Sequence, residues 1–586
     1  MERERGGRMK SRFKKVIIIS LVTGATLFHG AGNLMATELN QEDGIFPWHS
    51  TEYIRTLNRN ASTDADAAFY NPAGLAFMKQ TGLYINFSNN MMYKNKYSYM
   101  NFHDLDIQAS ALSIDISTPT DNIEADFVTD LARGDVDSDN SYIATVKAPA
   151  MPDFNIIYKA DRWAAYLSIG IMQAAPEVDF RRGLITADWG NLCVAEQLNA
   201  ISNKLLSSLY LGTSNFDSYT TQKNSVIRTE YYVAGTLGAA YRIIDMLSAS
   251  AGFRYIYYMG NQKVQIEGVD TGFSGTFLNA GGSVTNMLYT MNSSEWDLDT
   301  SYKGQSYGLI FGLDFKPTND LNIGIRYEYY LPAELKKKTN SFVINPLLES
   351  TGAVDIFKDG TPNDDFNGGL GYYHGNGSSV LKVTYPQSVS TGISYQLSKD
   401  WRVETGCDVY FRPYVDLDGR EKNFNIAYRV GGAVEYSLSD AMVISAGYSY
   451  HDTGVKNEYR TEIDSLLNNH SIGTGFGYKI SDRLSMNAGL VYIYYVTAVV
   501  ESDAAAKAHM LLNLSSLGLG TIDAEVDSTS HITRKLAEDT IMASVGVTYR
   551  LWGNDSVKED SDADDEKVSK KKEKKAKKEK KEKKAE

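Results

Sequence analysis

One device recurs six times along the chain and sets what it can fold into. An aromatic residue and a polar residue close a run, the chain turns at an Asp, and an apolar/polar alternation begins. The turn residues are Asp161, Asp245, Asp320, Asp400, Asp440 and Asp482. Before them stand Tyr158-Lys159, Tyr241-Arg242, Phe315-Lys316, Tyr395-Gln396, Tyr436-Ser437 and Tyr478-Lys479. Trp163, Leu247, Leu321, Trp401, Met442 and Leu484 open the next runs. Short polar turns between alternating runs are β-hairpin signals. Six hairpins predict twelve strands. One more strand is expected near Thr81–Tyr93 and one near Asp539–Leu551, giving about fourteen, an even number that returns both termini to one side.

A period of two assigns the faces. Leu321, Ile323, Ile325, Tyr327 and Tyr329 share one face, and Asn322, Gly324, Arg326 and Glu328 the other. Trp401, Val403, Thr405, Cys407, Val409 and Phe411 likewise oppose Arg402, Glu404, Gly406, Asp408 and Arg412. The polar face also carries Gly170, Gly252, Gly324, Gly406, Gly447 and Gly489 at similar positions after each turn, which leaves lumen space or lets strands bend. In a soluble sandwich the apolar face would point inward; in a membrane barrel it points to lipid and the charges line the lumen.

Composition and the N-terminus favour the membrane reading. Tyr (39) outnumbers Phe (22) and Trp (6), whereas Pro (12) and Cys (2) are scarce. Mean hydropathy is −0.32, as expected when only alternate residues meet lipid. Lys10, Arg12, Lys14 and Lys15 precede the apolar run Val16–Phe28 and then small residues, the order of an export signal over 1–36. The expected class is therefore all-β: a transmembrane antiparallel β-barrel over 81–552. The turn tyrosines form a periplasmic aromatic girdle, and long connections near 94–150, 182–224, 265–300, 336–377 and 501–535 lie outside. Ser544-x-Gly546-x-x-Tyr549-x-Leu551 fits the closing-strand pattern read by the barrel-assembly machinery. After Trp552 the chain turns highly charged, and Lys570–Glu586 holds eleven Lys and four Glu. Such a segment, 553–586, cannot bury enough apolar surface to fold alone. It is expected as a disordered periplasmic tail, solvated or touching anionic lipid.

Residues 37–80 do not alternate. They contain Ser62-Thr63-Asp64-Ala65-Asp66-Ala67-Ala68-Phe69-Tyr70-Asn71-Pro72-Ala73-Gly74-Leu75-Ala76. This stretch resembles the N-terminal hatch of the FadL/TodX family of outer-membrane transporters for hydrophobic compounds such as long-chain fatty acids. The resemblance implies a hatch or plug within the lumen, with Asn71, Pro72, Ala73 and Gly74 as its gating turn. It also implies passive transport: capture by extracellular loops, passage into the barrel, and release by hatch movement or through an opening in the wall. The partners implied are a hydrophobic small molecule, outer-membrane lipid and the assembly machinery, with no nucleic acid. The sequence departs from the family where a Gly-rich segment usually precedes the motif; here it reads Arg55-Thr56-Leu57-Asn58-Arg59-Asn60. The motif also resembles PorV-like secretion or surface-attachment barrels, and a non-specific porin is a third reading.

Within the second long connection Leu192, Ala195, Leu198, Ile201, Leu205 and Leu209 recur at helical spacing. Leu198, Ile201, Leu205 and Leu209 are candidates for ligand capture, or else pack the helix on other loops. Arg254, Arg326 and Arg402 fall on the lumen face, where they bind a ligand carboxylate or pair with Glu328, Glu404 or Asp408. The eight histidines are scattered without metal-ligand spacing, and no nucleophile elbow or phosphate loop occurs. No enzyme activity, metal or cofactor is expected. Cys193 and Cys407 are too few for a disulfide framework.

Overall fold

The computed structural model describes residues 21–22, 26–27, 47–111, 114–119, 142–180, 212–278, 284–344, 380–417, 420–457, 460, 465–513 and 521–552. Most of the segment expected as an export signal, the repeat around Leu198, Ile201, Leu205 and Leu209, Cys193 and the charged tail lie outside these residues.

Fourteen strands close on themselves among the described residues: β1 Gly82–Ala111, β2 Tyr142–Lys159, β3 Trp163–Phe180, β4 Gly212–Ile244, β5 Leu247–Leu278, β6 Val284–Phe315, β7 Leu321–Tyr330, β8 Ser388–Gln396, β9 Trp401–Tyr410, β10 Ala427–Ser437, β11 Met442–Asp452, β12 Asn469–Ser481, β13 Leu484–Tyr495 and β14 Thr521–Trp552. Each pairs antiparallel with the next. β14 pairs with β1 from Ala524↔Ala111 to Trp552↔Leu83, which closes the barrel and leaves no edge. All six turn aspartates fall between paired strands at one end. At the other end several expected loops are strand instead: β5 and β6 run paired out to Leu278↔Val284, and Ala498–Asn513 pairs along β14. Strands of about 10 residues span a bilayer, so the 32 residues of β5 rise well beyond one.

The faces separate as the alternation requires. In β7, Ile325 and Tyr329 are exposed while Arg326, Glu328 and Tyr330 are buried. Tyr158, Trp163, Tyr241, Phe315, Tyr395, Trp401, Tyr478 and Tyr549 are exposed beside the turns, the position of an interfacial girdle. A continuous apolar outer surface with buried charges inside is the arrangement of a lipid-facing barrel.

The buried interior is made largely by the N-terminal segment. Ser50 caps helix α1 (Thr51–Thr56), its hydroxyl accepting from Tyr53 N–H at 2.9 Å. The helix ends at Leu57, whose φ of 56° is left-handed. A short helix, Ala67–Tyr70, and a 3-10 turn, Pro72–Phe77, follow, with Pro72 at a position where its missing N–H costs nothing. Every residue of α1 is buried. This segment lies against the inner wall of the barrel.

Candidate functional site

The glycines of the polar face form a track for that segment. Gly324, Gly392, Gly406 and Gly431 are cross-strand partners in sequence around the wall, and Gly447 partners Gly473. A Cβ on Gly392 would come within 2.7 Å of Asn60, on Gly406 within 2.7 Å of Asn58, on Gly431 within 2.6 Å of Leu57, and on Gly546 within 2.6 Å of Thr51. Gly447 and Gly473 would meet the backbones of Thr56 and Ile54. Residues 51–60 thus cross β14 to β7 in contact with bare backbone. The close approach that a Gly-rich upstream segment would allow is supplied here by the wall, so Arg55–Asn60 can carry full side chains.

Ion pairs fix the track. Arg59, fully buried, donates to Asp66 at 2.7 Å, Ser62 at 2.8 Å and Asp64 at 2.6 Å, which accounts for the Asp-rich stretch. Arg55 pairs with Glu435, and Glu435 also receives Arg402. Breaking one partner of a buried pair costs about 3–5 kcal/mol. Glu52 accepts from Asn487 at 2.9 Å; burial, and then the nearby Asp66 charge, push its carboxyl up to about 7.

The Asn71-Pro72-Ala73-Gly74 turn is a second anchor. Asn71 donates to Ser62 C=O at 3.0 Å and to the Asp314 carboxylate on β6. Ser248 on β5 donates to Ala73 C=O at 2.8 Å. A Cβ on Gly74 would meet Ser62 C=O and come within 2.6 Å of the Asn71 amide.

Between these anchors the segment faces an interruption in the β2–β3 ladder. β2 and β3 pair from Lys159↔Ala164 to Phe154↔Ile169 and resume only at Val146↔Val178, so residues 147–153 and 170–177 have no partners across this seam. β3 is also irregular toward β4, between Ile171 and Gln173 and between Ala175 and Val178. Three of the chain's prolines, Pro149, Pro152 and Pro176, lie in the unpaired stretches. Proline lacks the ladder donor and is confined to edges and irregularities. That was the available sequence signal, and the strand reading above did not use it.

His49 and Phe69 cover the inner mouth of this gap. The His49 ring stacks on Phe69 with centroids 3.7 Å apart, and its Nδ1 lies 2.9 Å from the Asp153 carboxylate within the unpaired stretch of β2. Trp48, Tyr53, Ile54 and Tyr70 pack there with Ala148 and Met151, and Met92, Ile171 and Tyr231 border them. Phe69 also meets the Arg254 and Arg326 guanidinium groups, 4.9 and 5.6 Å from its centroid. Above it Tyr232, Tyr258, Tyr302, Tyr330 and Tyr385 cluster with Met172.

Arg254, Arg326 and Arg402 are all engaged by protein. Arg254 donates to Tyr330 at 2.6 Å and Thr236 at 2.8 Å and lies 3.4 Å from Glu328. Arg326 donates to Phe69 C=O and Ser390, and Arg402 lies by Glu404 at 3.7 Å. Arg254 and Arg326 converge on Phe69; Arg402 belongs to the Arg55–Glu435 group. On the turn side a cavity of about 490 Å³ is lined by Glu52, Arg55, Asp64, Lys79, Asp440 and Lys479 among others. No group of metal-ligating side chains occurs among the described residues.

No curated protein sequence matches the chain. A crystal structure of a Pseudomonas aeruginosa FadL homologue superposes with a TM-score of 0.49 at 14% identity, covering 89% of this chain and 100% of that one. The P. putida toluene transporter TodX gives 0.40 at 11%, covering 83% and 94%. The Ralstonia pickettii toluene transporter TbuX gives 0.41 at 12%, covering 83% and 94%. The sequence itself matches the family model of outer membrane protein transport proteins (OMPP1/FadL/TodX) over residues 211–533, more than half its length. The chain belongs to the OMPP1/FadL/TodX family of outer-membrane transport proteins.

Proposed function

We propose that this protein is a passive channel for hydrophobic small molecules such as long-chain fatty acids, which pass from the lumen sideways into the membrane between β2 and β3. The observation that carries this reading is the unpaired seam at 147–153 and 170–177, bordered by apolar side chains and covered from inside by His49 and Phe69. Unmet backbone groups facing hydrocarbon cost several kcal/mol each, so a seam of this length has a role other than stability. A downward route would carry an apolar solute past the charged groups Glu52, Arg55, Asp64, Lys79, Asp440 and Lys479, which stand in the turn-side cavity among apolar side chains such as Met78, Val443 and Met486.

The other parts take roles along this route. External loops, including Leu198, Ile201, Leu205 and Leu209, capture ligand. The tyrosine cluster receives it, and Arg254 and Arg326 face its polar head in exchange for Glu328. Arg402, locked to Glu435 and Glu404, serves the segment rather than the ligand. Residues 37–80 act as the hatch, anchored at Asn71–Gly74; residues 1–36 direct export; and both termini, with the 553–586 tail, lie in the periplasm. A filled lumen does not suit a non-specific porin. Extraction of membranes without detergent, followed by mass spectrometry, tests the ligand class. Co-purified acyl chains or apolar aromatics are expected. An empty protein with steady ion conductance in planar bilayers would overturn the reading.

A further inference from the structure

We infer that Lys303, Lys336 and Lys338 form a docking site on the outer wall for the phosphate group of an outer-leaflet lipid. The inference rests on the orientation proposed above, with the short turns in the periplasm, and not on the transport route. Height comes first. β6 ends at the turns with Phe315, and its outward residues Tyr307, Leu309, Phe311, Leu313 and Phe315 are all exposed. Lys303 lies twelve residues from Phe315, about 40 Å of strand. At a strand tilt of about 40° this is roughly 30 Å of height, just past an apolar band about 25 Å tall. The neighbouring strands end the apolar surface at the same level, with Tyr255, Tyr257 and Met259 on β5 and Tyr329 and Leu331 at the end of β7 all exposed. The Tyr255 hydroxyl donates to Gln305 at 3.1 Å. Rings facing hydrocarbon with hydroxyls in the polar layer mark a second interfacial girdle.

The lysines begin where that surface ends. Lys336, on the short strand Ala333–Ile344, stands directly opposite Lys303 in the antiparallel ladder. Lys338 follows two residues on and shares the outer face, and all three are exposed. Like charges directly opposite one another destabilise a strand pair. Other lysines are neutralised within the chain: Lys94 and Lys96 meet Glu538 at 2.8 and 3.2 Å, and Lys479 meets Asp482 at 2.6 Å. Lys303, Lys336 and Lys338 form no ion pair among the described residues. The carboxylates of the same ladders are matched elsewhere. Asp299 accepts from Asn340 at 3.1 Å and stands opposite Lys263, and Glu334 stands opposite Lys382. Cross-strand neighbours lie about 5 Å apart and residues two along a strand about 7 Å, so one tetrahedral phosphate can be shared by all three ammonium groups. A membrane lipid fits the whole patch, its acyl chains on the exposed aromatic and aliphatic residues and its phosphate at the lysines. A soluble anion would use only the lysines.

The test uses the full chain in phosphatidylcholine nanodiscs containing lipid A, a diphosphorylated, acylated glucosamine disaccharide. Native mass spectrometry after transfer to detergent reads the fraction of protein that retains it. The parent is expected to retain lipid A, and Lys303→Gln, Lys336→Gln, Lys338→Gln together to lower retention at least about tenfold, as the loss of three cations at a lipid surface requires. The three corresponding Arg substitutions should retain it. Lys399→Gln, Lys479→Gln, Lys535→Gln removes the same charge elsewhere and should stay within about twofold of the parent, because distant surface charges are screened. Equal loss in this control, or parental retention in the first triple variant, would overturn the inference. So would equal retention by the parent of the same lipid stripped of both phosphates, since acyl chains alone would then hold it. Where the triple variant fails to assemble, judged by heat-modifiable mobility, Lys336→Gln with Lys338→Gln replaces it, and the comparison of the two lipids on the parent still decides. Orientation is read separately. Asn340→Cys, in a Cys193→Ser, Cys407→Ser background, should react with a membrane-impermeant maleimide on intact cells. Labelling only after permeabilisation would overturn the orientation, and the outer leaflet with it, whatever the lipid result.

Discussion

Asn71 and Glu52 show how single side chains set the state of the segment. Asn71 ties its own turn to Ser62 and the whole segment to Asp314, so Asn71→Ala removes one wall contact and leaves every strand ladder intact. The barrel should assemble with unchanged heat-modifiable mobility while fatty-acid uptake shifts by a factor of about three to ten, as expected for one buried hydrogen bond. Glu52 brings a pH dependence whose sign follows from its environment. Its carboxyl is raised from 4.5 to about 7 in the seated segment, so seating favours the neutral form. That contribution is complete below about pH 4.5 and is lost as pH rises through about 7. Hydrogen exchange over residues 47–60, corrected for its intrinsic pH dependence, should therefore accelerate between pH 5 and 8. In Glu52→Gln the excess slope should vanish; an identical slope in both proteins would contradict the assignment.

At the scale of elements, the glycine track and the seam divide the wall into a seat and the proposed exit. Gly447 faces the Thr56 backbone, whereas nothing lies within 4 Å of a Cβ on Gly235. Gly447→Val is expected to unseat α1, raising small-solute leak and lowering stability by a few kcal/mol, the scale of overpacking against fixed backbone. Gly235→Ala should be silent in the same liposome leakage assay. Equal leak from both variants would show that the glycines merely allow bending. The two elements were unequally legible. The stripe of Gly324, Gly406, Gly447 and Gly489 stood out because it shares a period with the turns, yet a missing side chain does not say what fills its space. The seam was hidden because 142–180 still alternates enough to read as two strands. Only Pro149, Pro152 and Pro176 mark the interruption.

For the whole molecule, turn chemistry and a period of two were enough to read the closed barrel, its faces and its count of fourteen, since both act locally and repeat. Strand length beyond the membrane was not legible: Gly260–Leu278 and Val284–Thr300 carry no signal distinguishing a loop from a paired ribbon standing in water. The ion pairs were legible only as candidates. Parity placed Arg254, Arg326 and Arg402 on the lumen face, but their partners Glu328, Glu435 and Tyr330 depend on register and on where 47–78 lies. Among the described residues these parts make a barrel whose inner wall carries the N-terminal segment, whose turn-side cavity holds charged groups, and whose β2–β3 ladder is interrupted at one seam.

Uptake through Ala148→Trp tests that account most directly. Ala148 is buried in the stretch of β2 without partners on β3, packed among Trp48, Tyr53 and Met151, so an indole there fills the passage on the side of Trp48 and Tyr53, away from the turns and the Asn71 anchor. With the variant assembled in the outer membrane at parental levels, the account predicts initial uptake of a radiolabelled long-chain fatty acid reduced at least tenfold. Parental uptake through an assembled Ala148→Trp barrel would contradict it.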